Sequence, residues 1–107
     1  MLYRIDAFNI PDAVRPEFER RALETTTLLR TQPGFVSKRW FEKVFGDGSM
    51  NLVTMVEWQD EASIRAAGQA VHAMHAAKGF DPAAFARLNG IVDSKAVYRL
   101  RDTGISA

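Results

Sequence analysis

His72 and His75 are the two histidines of the 107-residue chain, and a spacing of three on a helix turns both imidazoles toward one region of its surface. A neutral imidazole accepts a proton near neutral pH, so either ring could act as a general base on an acidic hydroxyl such as a phenol. A histidine late in a helix serves equally well as a packed ring or as a partner for the last carbonyls. Two imidazoles make a poor metal site, because a catalytic zinc takes at least a third ligand and no paired spacing supplies one, although Asp81 and Glu57 could approach. No metal is therefore expected. With no cysteine in the chain, disulfides, thiolate ligands and cysteine nucleophiles are excluded. Arg39 stands beside Trp40 and Phe41, and a guanidinium among aromatic rings can hold an anionic or phenolate ligand. Alternation along a strand puts Arg39 and Trp40 on opposite faces, so they cannot line one pocket together.

The elements that must carry these residues follow from periodicity. Leu2 to Asn9 alternates, with Tyr3, Ile5 and Ala7 on one side and Leu2, Arg4, Asp6 and Phe8 on the other, which predicts a first strand. From Ala13 the apolar spacing becomes Val14, Phe18, Ala22, Thr25, Leu29, a helical stripe, with Asp12 as the expected N-cap and Pro16 in the first turn. Gln32-Pro33-Gly34 stops that helix. Phe35 to Val44 reads as a second strand, with Phe35, Arg39 and Phe41 on one side and Val36, Trp40 and Val44 on the other. Gly46-Asp47-Gly48 turns it into a third strand, Asn51 to Trp58. Asp60 caps a helix marked by Ile64, Ala67, Val71 and Met74, which ends near Gly79; a short helix follows Asp81-Pro82, and Ile91 to Leu100 is a fourth strand.

Strand, helix, strand, strand, helix, strand is the βαββαβ order of a ferredoxin-like α+β domain with an antiparallel sheet, here over residues 1–101 with a short polar tail at 102–107 expected to fray. Helices cover one face of such a sheet, yet Val53 and Met55 oppose Leu52, Val56 and Trp58, so neither face of the third strand is polar. A chain this short gains from further burial, and packing two open faces across a twofold axis predicts a homodimer. Fourteen basic and thirteen acidic residues are interspersed, giving a formal charge of +1 and no basic stripe for nucleic acid. No apolar run reaches the length of a membrane helix or a signal segment, so a cytoplasmic protein without membrane contact is expected.

Three stretches carry a family resemblance: Gln32-Pro33-Gly34-Phe35, Val56 to Ala62 at the third strand's end, and Val71-His72-Ala73-Met74. Together, over roughly residues 2–100, the chain resembles the antibiotic biosynthesis monooxygenase family. The resemblance implies a dimeric α+β barrel with a pocket between sheet and helices in each subunit. It also implies oxidation of a small phenolic or quinol-type aromatic molecule by molecular oxygen without a cofactor. His72 best matches the family histidine, and Trp58 the tryptophan at the end of the third strand, whose ring could flank an aromatic substrate, although a large aromatic at a strand end is more often core. Thr54 occupies the place of an asparagine used by quinone-forming members, and Ile64 that of a helix tyrosine. Haem-degrading members would put Asn9 and His75 in roles on the first strand and the second helix, but Ala67 stands where their tryptophan is expected. A dimeric binding or scaffold protein without a reaction is the alternative; a cavity filled by Trp58, Met55 and Phe85 would mark it, and polar groups converging on an enclosed space would mark an enzyme.

Overall fold

A computed structural model describes residues 1–104 of the chain. Its elements are β1 (Leu2–Asn9), a 3-10 turn (Asp12–Val14), α1 (Arg15–Leu29), β2 (Phe35–Glu42), β3 (Leu52–Trp58), α2 (Glu61–Ala77), α3 (Pro82–Leu88) and β4 (Val92–Arg99). The strands form one antiparallel sheet in the order β2-β3-β1-β4, with the helices on one face: the ferredoxin-like α+β fold that the element order predicts. The expectation of a frayed tail falls partly on residues 105–107, which lie outside the described residues.

The register decides which side chains meet. Lys38, Val56, Arg4 and Val97 form one row across the sheet, and Trp40, Thr54, Asp6 and Lys95 form the next. Both rows face the helices. The opposite, open face carries Tyr3, Ile5, Val53, Met55, Arg39 and Phe41, with Tyr98 of β4. A bulge between Phe35 and Ser37 changes the expected parity of β2, because the extra residue Val36 lets Phe35 sit opposite Trp58 on the helix side while Arg39 and Phe41 stay outside. β2 also ends at Glu42 rather than Val44. Val44 and Phe45 are 88% and 90% exposed in the connection to β3, with no facing strand residue to hold them.

The helix starts and stops have local causes. Asp12 does not cap α1. A 3-10 turn, closed by Val14 N–H donating to Pro11 C=O at 3.0 Å, stands between them, and Val14 takes the N-cap position. Gln32 to Phe35 is a turn closed by Phe35 N–H to Gln32 C=O at 3.2 Å, with Pro33 and then Gly34 at φ 84°, the backbone of a type II turn. Gly34 C=O accepts from Gln59 N–H at 2.9 Å, so the turn docks where β3 passes into α2. As expected, Asp60 caps α2, accepting from Ser63 N–H at 2.8 Å and from Ser63 Oγ at 2.7 Å.

On the helix side the apolar core divides into two clusters. Phe8, Ile10, Leu52 and Ile91 pack with Phe18, Trp40 and Phe85 at one end. Val56, Trp58 and Ala67 pack with Leu29, Phe35 and Ile64 at the other. Trp40 thus belongs to the helix-side core and not to the open face. Thr54, 7% exposed, interrupts the inward apolar run of β3 between the clusters.

Candidate functional site

Between the sheet and the helices lies a cavity of about 990 Å³. That is near the upper end of the size range of small-molecule pockets, on the order of 300–1,000 Å³, and gives room for several fused rings. Aromatic and aliphatic groups form most of its wall, including Phe8, Phe18, Trp58, Phe80 and Phe85. Its polar groups include Arg4, Asp6, Lys38 and Thr54 on the sheet, Thr25 on α1, and His72 and His75 on α2, with further charged residues, Arg21, Asp81, Asp93 and Lys95, also lining it.

His75 is placed by the way α2 ends. Gly79, at φ 64°, allows Gly79 N–H to reach Ala76 C=O at 3.1 Å and Phe80 N–H to reach His75 C=O at 2.9 Å, the paired bonds of a Schellman motif. That motif folds Phe80 back onto His75, edge to face, with ring centroids 5.3 Å apart. Arg21 of α1 covers the same phenyl ring, its guanidinium carbon 4.1 Å from the centroid. Thr25 Oγ1 stands 3.4 Å from His75 Nε2 and donates to Arg21 C=O at 3.3 Å, which leaves its oxygen free to accept from the ring. Burial, with the Arg21 charge second, holds the His75 imidazole below its ordinary value of 6.5. The ring is therefore neutral at physiological pH and able to accept a proton.

The two histidines are not equivalent. His75 is half-buried, whereas His72, one turn earlier, is exposed at the rim and also borders a shallow outer depression with Arg65, Gly68 and Gln69. Trp58 is 2% exposed and stacks edge to face on Phe35 at 5.7 Å, so it offers the cavity part of its ring from a fixed position. Thr54 lies on the same wall. The structure does not bring Asn9 or Arg39 to this cavity. Asn9 pairs with Val92 and alternates with the inward Phe8, and Arg39 lies opposite Met55 on the open face, exposed. Among the described residues no three of His, Asp or Glu converge as a metal site would require.

Several wall residues were not singled out by the sequence. Arg4 and Asp6 had a visible signal, a charged pair between Leu2 and Phe8 on one strand face, and Thr25 is the polar member of the α1 stripe. Lys38 shares the face of Trp40 by alternation, but its charge reads as solvent-facing; the bulge at Val36 then brings Phe35 onto that same face. Phe80 depends on the Schellman turn.

Fold and cavity define a class: a ferredoxin-like α+β domain that keeps a pocket between an antiparallel sheet and its helices. Residues 1–79 match the sequence pattern of the antibiotic biosynthesis monooxygenase family, and the chain belongs to that family. No functionally curated protein matches it. Among solved structures, a proposed monooxygenase of Shewanella loihica PV-4 superposes with a TM-score of 0.72 at 22% identity, over 95% of each chain. A mutant form of SnoaB, a cofactor-independent oxygenase of Streptomyces nogalater, gives 0.66 at 25% identity, covering 95% of this chain and 94% of that one. The Mycobacterium tuberculosis heme-degrader MhuD, with two hemes in its active site, gives 0.68 at 19% identity, covering 94% and 95%. At 22% and 19% identity the likeness is one of fold. No helix among the described residues is long and apolar enough to cross a membrane.

Proposed function

We propose that the chain is a cofactor-independent monooxygenase that oxidises a phenolic or quinol-type aromatic molecule with molecular oxygen, in the cavity between sheet and helices. The observation that carries this reading is His75, a neutral imidazole at the wall of an aromatic-lined space, braced by Thr25 and Phe80. Its free ring nitrogen takes the proton of a substrate hydroxyl. The resulting phenolate is electron-rich enough to pass one electron to oxygen; the phenoxyl radical and superoxide combine at a ring carbon, and the peroxide loses water to leave a quinone. One phenol and one O2 thus give one quinone and one water. The protein's part is to deprotonate the substrate, strip water from it and hold it still.

An open space supports this reading over a purely structural one. Met55 points to the other face of the sheet, and Trp58 and Phe85 form wall rather than filling. For haem degradation the support is weaker, because Asn9 faces away from the cavity and the buried Ala67 stands in the tryptophan's place. We place two chains back to back through their open sheet faces, in the cytoplasm.

The test is oxygen uptake with a panel of naphthols and hydroquinones. At least one should be consumed, with an acid limb of kcat/KM below pH 6.5 that is absent in His75→Ala. Uptake unchanged in the double variant His72→Ala, His75→Ala would remove the histidine assignment.

A further inference from the structure

The charges around the cavity are almost all paired. Arg4 Nε donates to Asp6 Oδ1 at 2.6 Å, Lys95 Nζ stands 3.6 Å from Asp93 Oδ2, and Arg21 Nε donates to Glu17 Oε1 at 3.2 Å. Asp81 caps α3 through the N–H groups of Ala83 and Ala84. On the helix wall His75 is neutral and His72 lies at the rim. Lys38 is different. It lines the cavity from the middle of β2, half-buried, and among the described residues it is the one lysine or arginine of the wall without an ion-pair partner. Asp6 is the carboxylate whose field reaches it, from the adjoining row across the sheet, and Arg4 already holds that carboxylate. Its other close neighbour is the Trp40 ring, centroid 5.8 Å from Nζ.

We infer that this cavity takes an aromatic acid, a fused-ring ligand whose anionic oxygen is held by the Lys38 ammonium on the sheet wall. The inference rests on the cavity being the substrate site. An ammonium half-buried among apolar groups, with only the already paired Asp6 acting on it, costs the fold free energy, and an arriving anion supplies a direct partner. Aromatic residues on the remaining walls match the ring system of such a ligand. Burial, opposed by Asp6, brings Lys38 down to about 8, so a bound anion would also restore its proton.

The test is anaerobic titration calorimetry of the whole chain with 6-hydroxy-2-naphthoate and with 2-naphthol, which differ by the carboxylate. At pH 7 the acid should bind about tenfold tighter or more, as expected for a charge-assisted hydrogen bond in a shielded site. Lys38→Met should bring the two affinities within about twofold, and Lys38→Arg should keep the preference. In the unaltered protein the preference should shrink above pH 8 as the free ammonium loses its proton. Equal affinities at pH 7, absence of binding by either compound, or a preference that survives both Lys38→Met and the pH series would overturn the inference. Because oxygen uptake is not read, selective binding without turnover would leave the aromatic-acid inference standing and remove the monooxygenase reading, while turnover restricted to neutral quinols would do the reverse.

Discussion

At the scale of single residues, the cavity holds groups that work against stability, and Lys38 is the clearest. Its ordinary value is 10.5 and burial brings it to about 8 in the folded chain. Below pH 8 it is charged in both folded and unfolded states, and the burial cost is felt in full. Between pH 8 and 10.5 the folded chain gives up the proton first, and the cost fades. Lys38→Met should therefore stabilise the protein at pH 7 by on the order of 2 kcal/mol, with the gain gone by pH 10.5. Chemical denaturation at both pH values measures this, and a variant less stable than the parent at pH 7 would contradict it. A lysine retained at such a cost is what a binding role predicts. His75 could be named from sequence because histidine is rare here and titrates in the useful range. That Lys38 turns inward could not: alternation puts it on the face of Trp40, but apolar residues stand on both faces of β2 and only the sheet register shows which one meets the helices.

Among the elements, the Gln-Pro-Gly-Phe turn does more than end α1. Gly34 is left-handed, and a Cβ there would overlap the side chain of Ser63 in the first turn of α2. Gly34→Ala should cost about 2–4 kcal/mol from the αL conformation and the overlap together. Adding Ser63→Gly should recover the overlap part and leave about 1 kcal/mol for the conformation. Thermal melts of the two single variants and the double variant read this coupling, and strict additivity would exclude the close approach. The order of strands and helices, the Asp60 cap and the end of α2 near Gly79 were all legible, because period and capping are local properties. The start of α1 was misread for a physical reason: Pro11 and Pro16 allow a 3-10 turn ahead of the helix, and nothing in residue type distinguishes it from a first helical turn.

For the whole molecule, the open face is the counterpart of the cavity. Tyr3, Ile5, Val53 and Met55 lie there partly exposed, beside Phe41 at 47% and Tyr98 at 51%. The reason given from sequence, apolar residues on both sides of β3, is visible in the register. Light scattering behind a sizing column should give twice the chain mass for the protein and the single mass for Met55→Lys, which puts a cation in the middle of that face. A monomeric parent would contradict the pairing.

The step proposed for the cavity, removal of a proton from a phenol, can be measured before any oxygen is consumed. Under anaerobic conditions at pH 7, absorbance of a bound 2-naphthol-type ligand reports whether it is phenol or phenolate. Binding should bring up the phenolate band in the parent protein and fail to do so in His75→Ala. A ligand that stays protonated in the parent, or a phenolate band of equal size in the variant, would contradict the account.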